Sequence, residues 1–220
     1  MTAIGSRRDE ILSIAARQFA ERGVASTTVR DISAAAGILS GSLYHHFQSK
    51  DHIVAELLLP VMQRQVGRYR TIVSVANGAT ITLRTLIATA VAEAAQTPNE
   101  TRMIRNDAQT FSATPLLRPV ADLLIEAAKL WTSVVERGVA DGDLRADADA
   151  RLVVAAMFDA VLSTTRWFGG TRPHAPGHVA DSLADLFLGG LVARPSADQV
   201  AGMPNDAATA GRRSFHTNPS

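Results

Sequence analysis

The 220-residue chain contains no cysteine. Disulfides, thiolate metal sites and a cysteine nucleophile are therefore excluded, which fits a reducing, cytoplasmic setting. Net charge is low, +1 at pH 7, and neither demands nor excludes nucleic acid. No apolar run approaches the roughly 18 residues that a membrane helix needs, and the opening MTAIGSRRDEIL lacks the apolar stretch of a signal peptide. No membrane partner is expected. HExxH, GxxxxGK and GxSxG are also absent, so no catalytic residues are nominated and no enzyme is expected. Potential metal ligands are poorly spaced. His45 and His46 point to different sides of a helix, and Pro176 and Gly177 lie between His174 and His178. Asp141, Asp143, Asp147 and Asp149 lack the Gly and Glu spacing of a calcium loop. They suit a turn followed by a helix start. No metal and no cofactor are expected.

What is present is helical. Hydrophobic residues make up 46% and charged residues 20%, enough apolar surface for a core. Leu12, Ala15, Ala16 and Phe19 repeat at i, i+3, i+4, i+7, and no alternating strand pattern competes. The spacing predicts helices over about 7–22, over 28–37, from Ser40 to about Phe47, and from a Ser49 cap to about Val75. Further helices follow over about 80–96, 99–112, 115–140, 147–168 and 178–193. Gly23, Gly37, Asn77-Gly78 and Asp141-Gly142 punctuate them. Pro60 is expected to bend the fourth helix or break it near Ala55–Glu56. Thr114-Pro115 reads as a cap and first turn. From Arg194 onward, Pro, Ser, Ala, Asn and Gly dominate, so 194–220 is expected to be a disordered tail.

Residues 29–48 carry the strongest functional signal. Two helices joined by a very short turn must approach closely, and Ser33, Ala35 and Ala36 are small. Gly37 supplies the positive φ of the reversal. Ile32, Ile38, Leu43 and Phe47 would face the first helix. The other side of the third helix offers Ser40, Gly41, Ser42, Tyr44, His45 and His46, a slim polar face suited to a DNA major groove. Candidate DNA contacts are Thr27, Thr28, Arg30, Ser40, Gly41, Ser42, Tyr44, His45 and Lys50. Residues 1–50 add a weak basic bias. Arg7, Arg8, Arg17, Arg22, Arg30 and Lys50 stand against Asp9, Glu10, Glu21 and Asp31, six cations to four carboxylates, or +2.

The stretch TTVRDISAAAGILSGSLYHHFQSKDHIV resembles the DNA-binding domain of the TetR family of regulators. Gly37, Gly41, Ser42, Leu43, Tyr44, Phe47 and Lys50 match the family's signature positions. Leu39 departs from it, standing where the family usually has a capping serine, and Ser40 is expected to cap instead. The resemblance implies an all-α fold with three parts. These are a helix-turn-helix domain over 1–50, a larger helical effector-binding and dimerisation domain over 51–193, and the tail. GILSGSLYHHF and the RWF-GG region at Arg166–Gly170 are similar to a subgroup of actinobacterial repressors of steroid-ring catabolism and acyl-CoA-responsive regulators.

That family implies a homodimeric repressor on a palindromic double-stranded DNA operator, released by a small apolar or acyl-CoA-like effector. Small and branched residues such as Leu152, Ala155, Ala156, Leu183, Leu186 and Gly190 on the last two helices suit a four-helix dimer interface. Met103, Asn106, Phe111, Trp131, Met157, Phe158, Arg166 and Trp167 are the candidate ligand contacts, aromatic and Met surface with few polar anchors. Arg166 beside Trp167 could pair with a carboxylate or phosphate. The alternative is an all-helical small-molecule-binding protein or enzyme without DNA binding. Alternatively again, the Met and aromatic residues are plain core.

Overall fold

The computed structural model describes residues 7–75, 77–169 and 173–192. Among them are nine α-helices, one short 3-10 turn and no strand. The expected tail, 194–220, lies outside the described residues, as does Gly170 of the RWF-GG region.

Three short helices make the N-terminal head. Helix α1 (Arg7–Arg22) buries Ile11, Ala15, Ala16 and Phe19 and stops at Gly23, whose φ is +83°. Helix α2 (Val29–Ala35) opens on a full capping box. The Thr28 hydroxyl accepts from the Asp31 N–H and the Asp31 carboxylate accepts from the Thr28 N–H. Gly37 turns the chain with φ +65°, and helix α3 (Ser40–Tyr44) follows. Ser40 is not the cap. It is the first helical residue, the cap position is Leu39, and no side chain bonds the free N–H groups there. The helix also ends sooner than expected, at Tyr44, because residues 45–47 tighten into turns that deliver Phe47 to the core.

Helix α4 (Lys50–Ser74) starts on Ser49, whose hydroxyl accepts from the His52 N–H at 3.0 Å. It runs through Pro60 without breaking. The lost hydrogen bond is outweighed there by burial of Leu58, Val61 and Met62 around the exposed proline. Helix α5 (Ala79–Gln96) follows the Gly78 turn, and helix α6 (Pro98–Phe111) begins on its own proline. Helix α7 (Arg118–Ala140) starts three residues later than Thr114-Pro115 suggested. The N–H groups of Leu117 and Arg118 bond back to the Thr114 carbonyl, at 2.9 and 3.0 Å. This turn tucks Leu117 into the core, and Pro119 serves the first turn instead. Helix α8 (Ala150–Ser163) is capped by Asp149 and runs into the 3-10 turn Thr164–Arg166. Helix α9 (Pro176–Leu191) completes the fold.

Helix α5 is the central strut. It packs against α4, α7, α8 and α9 and buries Leu83, Leu86, Ile87, Ala90 and Val91. It also buries Glu93, a charge made tolerable by two guanidiniums from α4. Arg64 pairs with one carboxylate oxygen, and Arg68 donates to the other at 2.8 Å. Where α5 meets α7, Gly138 lies against Ala79 and Leu144. The head is not an appendage, since α1 packs on both α4 and α6.

Candidate DNA-binding face and effector core

The orientation of α3 follows from its two sides. Leu43 and Phe47 are buried against the head's core. Gly41, Ser42, Tyr44 and His45 are exposed, Ser40 and His46 half-buried. The slim polar side is thus uncovered, with Tyr44 projecting at 55% exposure. Arg30 is exposed on α2.

Three of the expected DNA contacts are tied up inside the head to different degrees. Thr27 is fully buried, and its hydroxyl donates to the Gly23 carbonyl at 2.9 Å. It closes the α1–α2 turn and has no face toward a phosphate. Thr28 is exposed, but its hydroxyl serves the capping box and donates to Asp31 at 2.6 Å. Asp31's carboxyl is held below its ordinary value of 3.8, first by that hydroxyl and then by the Thr28 N–H. The Lys50 ammonium reaches back to the Val24 carbonyl at 2.7 Å, which leaves two of its three protons for other acceptors.

The expected ligand contacts do not converge on one cavity. Met103, Phe111, Trp131 and Met157 are fully buried. Trp131 meets Tyr69 edge-on at 5.6 Å and Phe158 at 4.9 Å. Burial pushes the Tyr69 phenol upward, so it stays neutral, accepting a hydrogen bond from Gln65. Asn106, Arg166 and Trp167 are exposed instead, and Asn106 leans on the Ala20 carbonyl at 3.5 Å. Two grooves touch the edges of this set. One of about 600 Å³ between α7 and α8 has Phe158 in its wall. Another of about 250 Å³ is lined by Trp167, His174, His178 and the start of α9. The four buried residues line neither. Within the core, Trp131 Nε1 and the Thr165 hydroxyl have no hydrogen-bond partner.

Two features escaped the sequence pattern. The first is an arginine cluster. Arg105 on α6 is held below the usual arginine range, first by burial and then by the nearby charges of Arg166 and Arg102. Its Nη1 is buried without a partner. Among the described residues, none of the three arginines forms an ion pair. Arg102 shares α6 with Arg105, Arg166 sits on the 3-10 turn packed against α6, and Arg105 donates to the Asn106 side-chain oxygen at 3.4 Å. With no carboxylate paired to them among the described residues, three such cations suit an anion. The second is a clamp. The Asp107 carboxylate on α6 accepts from the Val24 N–H at 3.2 and 3.3 Å, just past the end of α1. Val24 is therefore held by Asp107 at its N–H and by Lys50 at its carbonyl.

Among the described residues no group of three His, Cys, Asp or Glu side chains could hold a metal ion. No described helix is long and apolar enough to cross a membrane.

Comparison with known proteins places these features in a family. Residues 11–57 match the model for bacterial regulatory proteins of the TetR family, and residues 78–191 match the tetracycline-repressor-like C-terminal domain. The transcriptional repressor KstR2 of Mycolicibacterium smegmatis is 36% identical over 186 residues, 84% of this chain and 91% of that protein. The solved structure of the ketosteroid transcriptional regulator KstR2 of Mycobacterium tuberculosis superposes with a TM-score of 0.77 at 34% identity, covering 87% of this chain and 97% of that one. AibR, solved in complex with isovaleryl coenzyme A and operator DNA, shares the fold at a TM-score of 0.68 and 19% identity, covering 82% and 97% of the two chains. With its head and body matched in turn, and a repressor more than a third identical along most of its length, the chain belongs to the TetR family of bacterial transcriptional regulators.

Proposed function

We propose that the chain is a homodimeric, ligand-responsive repressor of the cytoplasm that grips a palindromic operator with two copies of α3. The observation that carries this is the uncovered polar side of α3, opposite a fully buried Leu43. Ser40, Gly41, Ser42, Tyr44 and His45 meet base edges and phosphates, and Arg30 and the remaining protons of Lys50 reach the backbone. Thr28 contributes its place at the helix start more than its occupied hydroxyl. Dimerisation uses α8 and α9, where Leu152 and Leu186 stand 68% and 71% exposed. Two copies close these faces into a four-helix bundle. A gel shift tests the DNA role. The full chain retards a specific duplex at low salt, and Tyr44→Ala weakens that complex while leaving effector binding unchanged. Specific retardation by neither protein would overturn it.

The effector is an acyl-CoA thioester. The subgroup resemblance and the relatives named KstR2 suggest a thioester of ring-degradation chemistry. The cluster of Arg102, Arg105 and Arg166 offers three cations to the phosphates of the CoA part. The apolar layer of Met103, Phe111, Trp131, Met157 and Phe158 opens to admit the acyl part, with Trp131 Nε1 free to donate to a carbonyl. Binding must favour the DNA-free state, since an effector with equal affinity for both shifts nothing. Thermal shift separates the parts. Acyl-CoA thioesters stabilise the protein, the free acids do so weakly, and Arg105→Met removes the difference. Equal stabilisation of wild type and Arg105→Met by every thioester would remove the cluster from the site.

A further inference from the structure

We propose that Leu39 reads a thymine methyl group in each operator half-site. This rests on the DNA-binding role of α3 and adds a specificity residue to it. Leu39 is 80% exposed, more than any other large apolar side chain described. It stands immediately before the first residue of α3 in extended backbone, φ −70° and ψ 144°. Its carbonyl is fixed, accepting from the Ser42 N–H at 2.9 Å and the Leu43 N–H at 3.4 Å. Its side chain therefore projects from a rigid anchor at the end of the helix that enters the groove first.

Inside the molecule this leucine contributes nothing. Ile38, Leu43 and Phe47 already supply the core at this turn. A Ser, Thr, Asp or Asn in its place would cap α3 and stabilise it. A single exposed leucine is ordinary on a protein surface. Its position is what assigns the role. The residues beside it are small, Ser40 and Ser42 carrying hydroxyls and Gly41 no side chain, so Leu39 is the apolar group at this tip. In the major groove only one base presents an apolar group, the C5 methyl of thymine. Leu39 supplies its match, while the neighbouring hydroxyls serve polar base edges and phosphates.

The test uses a duplex that the full-length protein selects from a random pool. Each thymine is replaced in turn by uracil, which removes only the methyl. Hiding one methyl-sized group is worth about 0.8 kcal/mol, or about fourfold in affinity per half-site. Uracil at one symmetric pair of positions is expected to weaken wild-type binding about 15-fold. Leu39→Ala should bind the unmodified duplex about 15-fold more weakly and be indifferent to that same replacement. Leu39→Ser, which restores a cap, should be equally indifferent, so altered helix stability cannot imitate the result. If every uracil duplex affects wild type and Leu39→Ala alike, the assignment is overturned while DNA binding stands. If no duplex is selected, the repressor function itself fails, and this assignment with it.

Discussion

Thr28 and Asp31 show how much of the head depends on single side chains. The capping box holds the start of the seven-residue helix α2, too short to persist by itself. Thr28→Ala should cost about 1 kcal/mol, visible as a lower urea midpoint at unchanged slope. The Asp31 carboxyl is held below its ordinary value of 3.8 in the folded protein. Its contribution is therefore complete above that value and fades as pH falls through the lower folded value. The stability gap between wild type and Asp31→Asn should be constant near neutrality and shrink in acid. A gap that widens in acid would reverse the sign. Gly138 is a second sensitive point. A Cβ there would collide with the Ala79 Cβ and lie 2.8 Å from Leu144. Gly138→Ala should cost about 1–3 kcal/mol through overpacking and lower the thermal midpoint, whereas Gly41→Ala, helical and with open space around it, should raise stability slightly. At this scale, sequence reasoning succeeded where the constraint is local. Gly23, Gly37, Gly78 and Gly142 all take positive φ, and Ser49 caps as its spacing suggested. It failed at Thr27, since a hydroxyl's preference for a carbonyl four residues back leaves no trace in residue type.

At the scale of elements, α4 joins head to body directly, packing on α1 at one end and on α5 and α7 further along. The structure adds α6, which packs on α1 and contributes Asp107. Asp107→Ala leaves the nearly buried Val24 N–H unsatisfied and should cost about 1–3 kcal/mol. Its distinctive effect is on coupling. Effector affinity measured with and without operator should become nearly equal, though each ligand still binds. An unchanged ratio would leave α4 as the sole route. Most helix boundaries were legible to within a residue or two, but α8 is shorter than the expected 147–168, starting at Ala150 on its Asp149 cap and giving way after Ser163 to the 3-10 turn. The start of α7 was missed because Thr114-Pro115 is a plausible first turn, and only burial of Leu117 moves the helix onward. The arginine cluster was missed for a related reason. Arg105 and Arg166 lie far apart in the chain, and periodicity within one helix cannot report that the 3-10 turn packs against α6.

For the whole molecule, the exposed leucines of α8 and α9 predict the assembly. Leu186→Glu places a charge on the proposed dimer face without touching the monomer's core, since the side chain is 71% exposed. Sedimentation should show a monomer, and operator affinity should drop about 100-fold or more once the two heads are no longer joined. A stable dimer with that substitution would move the interface elsewhere. Fold class and head were legible in the sequence because a short motif constrains them densely. The arrangement of the body was not, because Met and aromatic residues at helical spacing read the same whether they fill a core or line a ligand site, and Met103, Phe111, Trp131 and Met157 are all buried. The double hold on Val24 bears on engineering. Repressors of this architecture invite chimeras in which one protein's reading head is spliced onto another's sensing body. For this head, a host body without an acid facing residue 24 would yield a hybrid that still finds its operator but no longer answers the inducer, and restoring that one carboxylate is the first repair to make.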